Sequence, residues 1–222
     1  PNYAIKRDLR GNIRFKFHIG RVGPLFWLLG SYRMSNNNIS PNTLPSITDL
    51  RRLTQSLAML DAIISPEWQD RYYSFNSQWS ADEEMASMRD GSGDDWFLLF
   101  SQPGAALKGF AHELASDSHF AKSIQEVVPK SFSSFLQEPA FSMQYATFCY
   151  WCLANENIWK SVPSSERDDG SAELLELLVT GPSAYKEFAE YYYEFTVPID
   201  VVTAIYEHAP LTESFIQALN PD

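Results

Sequence analysis

Residues 95–110 read DWFLLF, SQPG and AALKGF, and this stretch is the clearest structural signal in the chain. Two apolar, aromatic-rich runs, Asp95–Phe100 and Ala105–Phe110, flank a connection in which Pro103 and Gly104 fit the central positions of a type II turn. The pattern predicts a β-hairpin. Because WFLLF is continuously apolar rather than alternating, its strand is predicted to be covered on both faces, by helices on at least one of them.

Before the hairpin the apolar spacing is helical. Leucine and isoleucine residues recur at intervals of three and four from residue 50 to residue 64, which places them on one stripe of a helix. Asp61 is assigned to another side of this helix. Ser65 and Pro66 predict a short second helix, and Ser80 with Glu83 forms a capping-box pattern that predicts a third.

After the hairpin the pattern is helical again, with breaks at proline and glycine. Helices are predicted over residues 141–159, 172–179, 183–195, 198–208 and 212–219. The predicted fold class is therefore α+β: a predominantly helical single domain with a central β-hairpin or small antiparallel sheet.

Charged residues are distributed unevenly along the chain. Residues 1–45 hold seven basic residues against Asp8, a net charge of +6, and the remaining 10 basic and 27 acidic residues give residues 46–222 a net charge of −17. The predicted organisation is a basic, polar N-terminal extension at 1–45 and an acidic globular domain at 46–222. Since Met34 resembles a start codon, residues 1–33 are predicted to be upstream or non-native sequence; the alternative is a native basic arm that docks on the acidic domain.

Charge, the length of apolar runs, cysteine content and missing motifs make several kinds of partner and cofactor unexpected. An acidic domain repels phosphate backbones, so nucleic acid is not an expected partner, whereas a basic protein is attracted. The run Leu25–Leu29 is far shorter than the roughly 20 apolar residues that cross a bilayer. With only Cys149 and Cys152, a disulfide framework is not expected, and a cytoplasmic location is predicted. No nucleotide-binding or nucleophile-elbow motif is present, so no cofactor is predicted.

Possible metal ligands are densest just after the hairpin. His112, Asp117 and His119 are the candidate ligands, and Glu113 is the candidate general base. Their spacing matches no HExxH motif, so a connection between a strand and a helix is the competing interpretation. Cys149 and Cys152 form a CxxC within an aromatic run that is predicted to be helical, where core packing is favoured over redox chemistry.

A protein-binding surface is the other candidate site. Its predicted residues are acids and tyrosines that a basic partner would contact: Asp94, Asp95, Glu187, Glu190, Tyr191, Tyr192 and Glu194. Exposed tyrosines are enriched at protein interfaces, although packing against neighbouring elements would also explain them.

The segment Ser87–Glu113, with the sequence SMRDGSGDDWFLLFSQPGAALKGFAHE, resembles a block of an uncharacterised bacterial protein family. The closing PLTESFIQALNPD is similar to the end of the same family, and both segments together cover less than a quarter of the chain. The resemblance implies a bacterial, cytoplasmic origin and no established activity.

Two hypotheses about function follow. The favoured one is a non-catalytic protein-binding module whose acidic surface engages a basic partner, as an immunity protein neutralises a toxin. The alternative is a small metal-dependent hydrolase that uses the His112–His119 cluster.

Overall fold

The computed structural model describes residues 4–7, 13–16, 38–114, 118–163 and 168–220, the first two segments as backbone only. The chain divides into two compact units, residues 1–35 and residues 36–222. In the first unit, β1 (Ala4–Arg7) pairs antiparallel with β2 (Ile13–Lys16).

A six-stranded antiparallel sheet forms the centre of the second unit, with its strands adjacent in chain order. The strands are β3 (Tyr73–Ser80), β4 (Glu83–Arg89), β5 (Asp95–Ser101), β6 (Gly104–Phe110), β7 (Phe148–Leu153) and β8 (Trp159–Ser161). The helices are α1 (Ile47–Ile64), α2 (Ser118–Val127), α3 (Ser133–Gln137), α4 (Ser171–Leu174), α5 (Glu176–Val179), α6 (Pro182–Tyr193), α7 (Ile199–Tyr206) and α8 (Glu213–Leu219). Short 3-10 turns lie at Pro41–Thr43, Trp68–Asp70, Lys130–Phe132, Pro139–Phe141 and Met143–Tyr145.

Helical layers cover both faces of the sheet. One face packs on α1 and on α4 to α8, and the other packs on α2, α3 and the 3-10 turns that follow them. Along β5, Trp96, Leu98 and Phe100 lie in the first core and Leu99 lies in the second. The continuous apolar run therefore fills two cores at once, which confirms the prediction that this strand is covered on both faces.

The prediction of a predominantly helical domain with a hairpin or small sheet is wrong, because two segments predicted as helices are central strands. Ser80 does donate to Glu83, at 3.0 Å, but the bond spans the turn between β3 and β4 and does not cap a helix. Within residues 141–159 the structure has a 3-10 turn at Met143–Tyr145, then β7, and Trp159 begins β8, with no α-helix. A buried strand that is apolar on both sides has no period to separate it from a buried helix. The predicted second helix is only the 3-10 turn at Trp68–Asp70.

Residues 38–45 pack on the rest of their unit. The Tyr150 hydroxyl donates to the Ile39 carbonyl at 2.9 Å, the Trp159 indole N–H donates to the Pro45 carbonyl at 2.7 Å, and Leu44 is buried. Within residues 36–222, this segment is part of the folded core. No helix in the described part of the chain is long and apolar enough to cross a membrane.

The hairpin connection is tighter than predicted. Ser101 pairs with Gly104, so Gln102 and Pro103 are the two connecting residues and Gly104 is the first residue of β6. Gly104 has φ +144°, and a Cβ built there would lie 2.0 Å from the Cys152 carbonyl oxygen of β7. A side chain at this position would therefore clash with the neighbouring strand as well as strain its own backbone.

Gly104→Ala is expected to lower the free energy of unfolding by about 3 kcal/mol, because backbone strain and a backbone clash add. Gly91→Ala is the matched control: Gly91 also has a positive φ, +78°, but a Cβ there meets nothing within 4 Å. Denaturant unfolding of both variants separates the clash from the strain. Equal losses would show that the contact with Cys152 is relieved by a small movement.

Candidate functional site

The loop between β4 and β5 is organised by Asp90. Its Oδ1 accepts hydrogen bonds from the amides of Ser92, Gly93 and Asp94 at 2.8, 3.0 and 2.9 Å, and its Oδ2 accepts one from the Ser92 hydroxyl. This is an Asx-type turn in which the carboxylate takes the place of backbone acceptors. The turn holds Asp94 beside the end of β6.

Asp94 binds His112 in two ways. Its Oδ1 lies 2.7 Å from the His112 ring Nδ1 and accepts the His112 backbone N–H, also at 2.7 Å. The hydrogen bond that the His112 ring makes to the Asp94 carboxylate raises the pKa of His112 above its ordinary value. A carboxylate that orients an exposed histidine is the arrangement of a general base, but the nearby Ser92 hydroxyl is directed to Asp90 and not to this histidine.

Asp95, the other acid of this pair, is engaged within the chain. Its Oδ1 lies 2.5 Å from the Nζ of Lys108, whose side chain is completely buried and lies over the rings of Phe97 and Phe110. Burial lowers the pKa of Lys108 and raises that of Asp95, while their attraction opposes both shifts. Asp95 compensates a buried cation, which is a structural role.

The predicted metal ligands are only partly described. Asp117 lies outside the described residues, His119 is in the first turn of α2, and Glu113 is exposed after β6. Among the residues that the structure describes, no three His, Cys, Asp or Glu side chains are arranged to hold a metal ion. The metal-site hypothesis, with His112 and His119 as ligands and Glu113 as base, stays untested.

The CxxC pair is buried, but in a strand and not in a helix. Cys149 and Cys152 lie on β7, three residues apart, so they point to opposite faces of the sheet and belong to different cores. Burial raises the pKa of both thiols. They cannot act together as a redox pair.

The predicted residues of α6 divide into two groups. Tyr191 is 67% exposed, and Glu187 and Glu194 are exposed near it. Glu190 is engaged within the chain, since it pairs with Lys186 and accepts the Val197 amide at 2.9 Å. The Tyr192 ring packs against its neighbours, stacking on Phe188 at 5.5 Å between centroids. The exposed α6 surface, defined by Glu187, Tyr191 and Glu194, is what remains for a partner.

Sequence reasoning missed Asp61. It lies on α1 but is completely buried, where its carboxylate accepts the amides of Tyr72 (3.0 Å) and Tyr73 (2.6 Å) and the hydroxyl of Tyr185 (2.7 Å). Burial raises its pKa to about 6. The only signal in the sequence was the position of Asp61 at the edge of the apolar stripe, directly after Leu60 and four residues after Leu57.

A groove over α1 is the second feature that sequence did not reveal. Its cavity has a volume of about 530 Å³, within the range of ligand pockets. It is lined by small side chains of α1, including Ala58 and Ala62, by Trp68 and Phe75, and by His208 and Leu211, which follow α7. We call it the α1 groove.

A smaller cavity of about 390 Å³ lies farther along α1 and β3 and is polar. It is lined by Arg51 of α1, Ser77 of β3 and the acidic turn Asp82–Glu84. Arg51 pairs with Glu84 at 2.9 Å. Asp82 and Glu83, the other two acids of this cleft, do not form an ion pair with Arg51.

Comparison of the chain with protein-family models, with curated proteins and with solved structures finds no match in any of the three.

Proposed function

We propose that this protein is a non-catalytic protein-binding module that engages a basic partner through its acidic surface, in the manner of an immunity protein that neutralises a toxin. The observation that carries the proposal is the net charge of −17 in residues 46–222. Charge of one sign at this density steers an oppositely charged protein during encounter.

Bonds inside the unit support the proposal, because they occupy several of the 10 basic residues of residues 46–222, which would otherwise repel a basic partner. Each of the pairs Lys122–Glu126, Lys160–Glu156 and Lys186–Glu190 joins residues four apart, and Lys108 is buried against Asp95. The Arg71 guanidinium donates to two carbonyls, those of Ser65 and Pro66. The acids Glu187 and Glu194 have the exposed Tyr191 beside them, an aromatic side chain of the type that anchors interfaces.

Binding should therefore be electrostatically steered. With a partner recovered by affinity capture, association is expected to slow about tenfold as salt rises from about 0.05 to 0.5 M, while dissociation changes less. The double change Glu187→Lys and Glu194→Lys should slow association about tenfold at low salt, and Tyr191→Ala should mainly speed dissociation. Stopped-flow or surface-based kinetics measure both rates.

Glu126→Lys is the matched control for this prediction. Glu126 is an exposed acid on α2, the helix on the other face of the sheet. If the α6 surface binds the partner, this variant keeps the normal association rate apart from the small effect of net charge. Glu190 is left unchanged because it is bonded to Lys186 and Val197. A partner whose binding ignores salt and both acid reversals would contradict the proposal.

A further inference from the structure

The α1 groove is held open by fixed contacts. Trp68 is 57% exposed, yet its ring lies under the Arg89 guanidinium, 4.3 Å from the ring centroid. Arg71 ties the preceding loop through its bonds to Ser65 and Pro66. The ring of His208, which also lines the groove, lies 2.9 Å from the Arg52 carbonyl of α1. A groove whose walls are already ordered loses little entropy when a ligand enters.

Large apolar side chains surround this groove without being covered. Met59 and Leu211 are each 44% exposed and line it together with Trp68. Single exposed apolar residues are ordinary, but a group around one concave surface marks a binding site.

The edge of the sheet opens into the same groove. β3 is the first strand of the sheet, and the Arg89 amide donates to the Tyr72 carbonyl at 2.9 Å. Because antiparallel pairs alternate, the backbone groups of Tyr73 and Phe75 then point away from β4. The Tyr73 amide is bound by Asp61, while Phe75 lines the groove. Backbone groups at an exposed edge can pair with an added strand.

Along the same two elements, the groove is followed by a cleft that contains acidic residues. Gln55 lines the apolar cavity and Arg51, one helical turn earlier, lines the acidic cleft; on β3 the same order is Phe75 and then Ser77. From Phe75 to Ser80, at the acidic turn, the strand advances about 16 Å, the length of about five extended residues. An apolar subsite and an acidic subsite thus lie along one strand edge.

We propose that the α1 groove binds an extended peptide segment of the partner that carries one large apolar side chain and basic residues about five positions away. The apolar side chain lies between Met59, Trp68 and Leu211, the backbone pairs with the edge of β3 at Phe75, and the basic residues face Asp82 and Glu83. This inference rests on the proposed function, since it names the part of the basic partner that is recognised.

Selection of a random-peptide library displayed on phage against the full chain tests the inference. Selected peptides are expected to share a bulky apolar residue and a lysine or arginine about five residues from it. Synthetic copies should lose about tenfold in affinity with Met59→Glu or Leu211→Glu, and a smaller factor with Asp82→Asn plus Glu83→Gln. Fluorescence anisotropy measures the affinities, and circular dichroism checks that each variant is folded.

Ile158→Glu is the matched control, because Ile158 is an exposed isoleucine away from the groove, just before β8. The selected peptides should bind the Ile158→Glu variant with the same affinity as the unchanged protein. A library without binders, or peptides that ignore Met59→Glu and Leu211→Glu, would overturn the inference. Basic peptides that bind elsewhere in a salt-dependent way would overturn it and leave the proposed function standing. Peptides that need the groove but contain no basic residue would count against both.

Discussion

Asp61→Ala is expected to lower the free energy of unfolding by about 4 kcal/mol, since it leaves three buried donors without an acceptor. These donors are the amides of Tyr72 and Tyr73 and the hydroxyl of Tyr185. The carboxylate holds the end of α1 against the start of β3 and against α6, so the loss affects three elements at once. Urea unfolding at pH 7 measures it. Tyr185→Phe removes one donor together with its bond and is expected to cost about 1 kcal/mol.

The same residue predicts how stability depends on pH. Burial raises the pKa of Asp61 from 3.8 to about 6, so the folded protein holds this proton more tightly than the unfolded chain does. Its contribution to stability is fully present below pH 3.8 and is lost as pH rises through about 6, by about 3 kcal/mol in all.

Asp61→Asn isolates that contribution from the other acids, because it keeps the size of the side chain and cannot ionise. The unfolding free energy of the unchanged protein minus that of Asp61→Asn should fall between pH 4 and pH 6 and be flat above about pH 7. A difference that is constant with pH would mean that Asp61 titrates normally and is reached by water.

The second large effect is expected at the buried ion pair. Asp95→Ala removes the acceptor of Lys108 and leaves an ammonium group that is completely buried without its counter-charge. The expected loss of stability is about 3 kcal/mol, reduced if the lysine releases its proton. Replacing both residues, with Lys108→Met and Asp95→Val, should recover most of it, because the apolar pair has no charge to desolvate.

Glu156→Ala is the control for this prediction. Glu156 pairs with Lys160 at 2.6 Å, but both side chains are well exposed, so its removal should change stability by no more than about 0.5 kcal/mol. Thermal and denaturant unfolding of the three variants tests the comparison. If Asp95→Ala costs no more than Glu156→Ala, then water reaches Lys108 and the pair is not a core element.

The elements that sequence predicted correctly are those whose periodicity is local. The α1 stripe has Leu50, Leu57 and Leu60 buried at helical spacing, and the proline and glycine breaks delimit α6 and α7 close to their observed bounds. The β5–β6 hairpin has two apolar runs on either side of one connection. Each of these patterns lies within one short segment of the sequence, because residues that are close together in the chain determine it.

The candidate sites were less predictable. Asp94 and His112, 18 positions apart, meet because β5 and β6 are adjacent strands, and Asp95 meets Lys108 for the same reason. Of the predicted α6 residues, Tyr191 is exposed as an interface residue must be, whereas Glu190 is bonded within its own chain. Which acids are available is decided by contacts within the folded unit: Asp95 is engaged by a residue of the neighbouring strand, and Glu190 by residues four and seven positions away.

By itself, the sequence determined the acidic character of residues 46–222, the helical stripe of α1, the β5–β6 hairpin and the covering of β5 on both faces. Only the tertiary structure decided that residues 83–89 and 148–153 are strands. Residues 85–88 and 148–152 are buried without interruption, so neither segment alternates apolar and polar residues with a period of two. It alone placed Asp61 in the core and opened the α1 groove between α1, β3 and the residues after α7. Both depend on contacts between segments more than a hundred residues apart, such as Asp61 with Tyr185 and Arg52 with His208, and no local pattern encodes them.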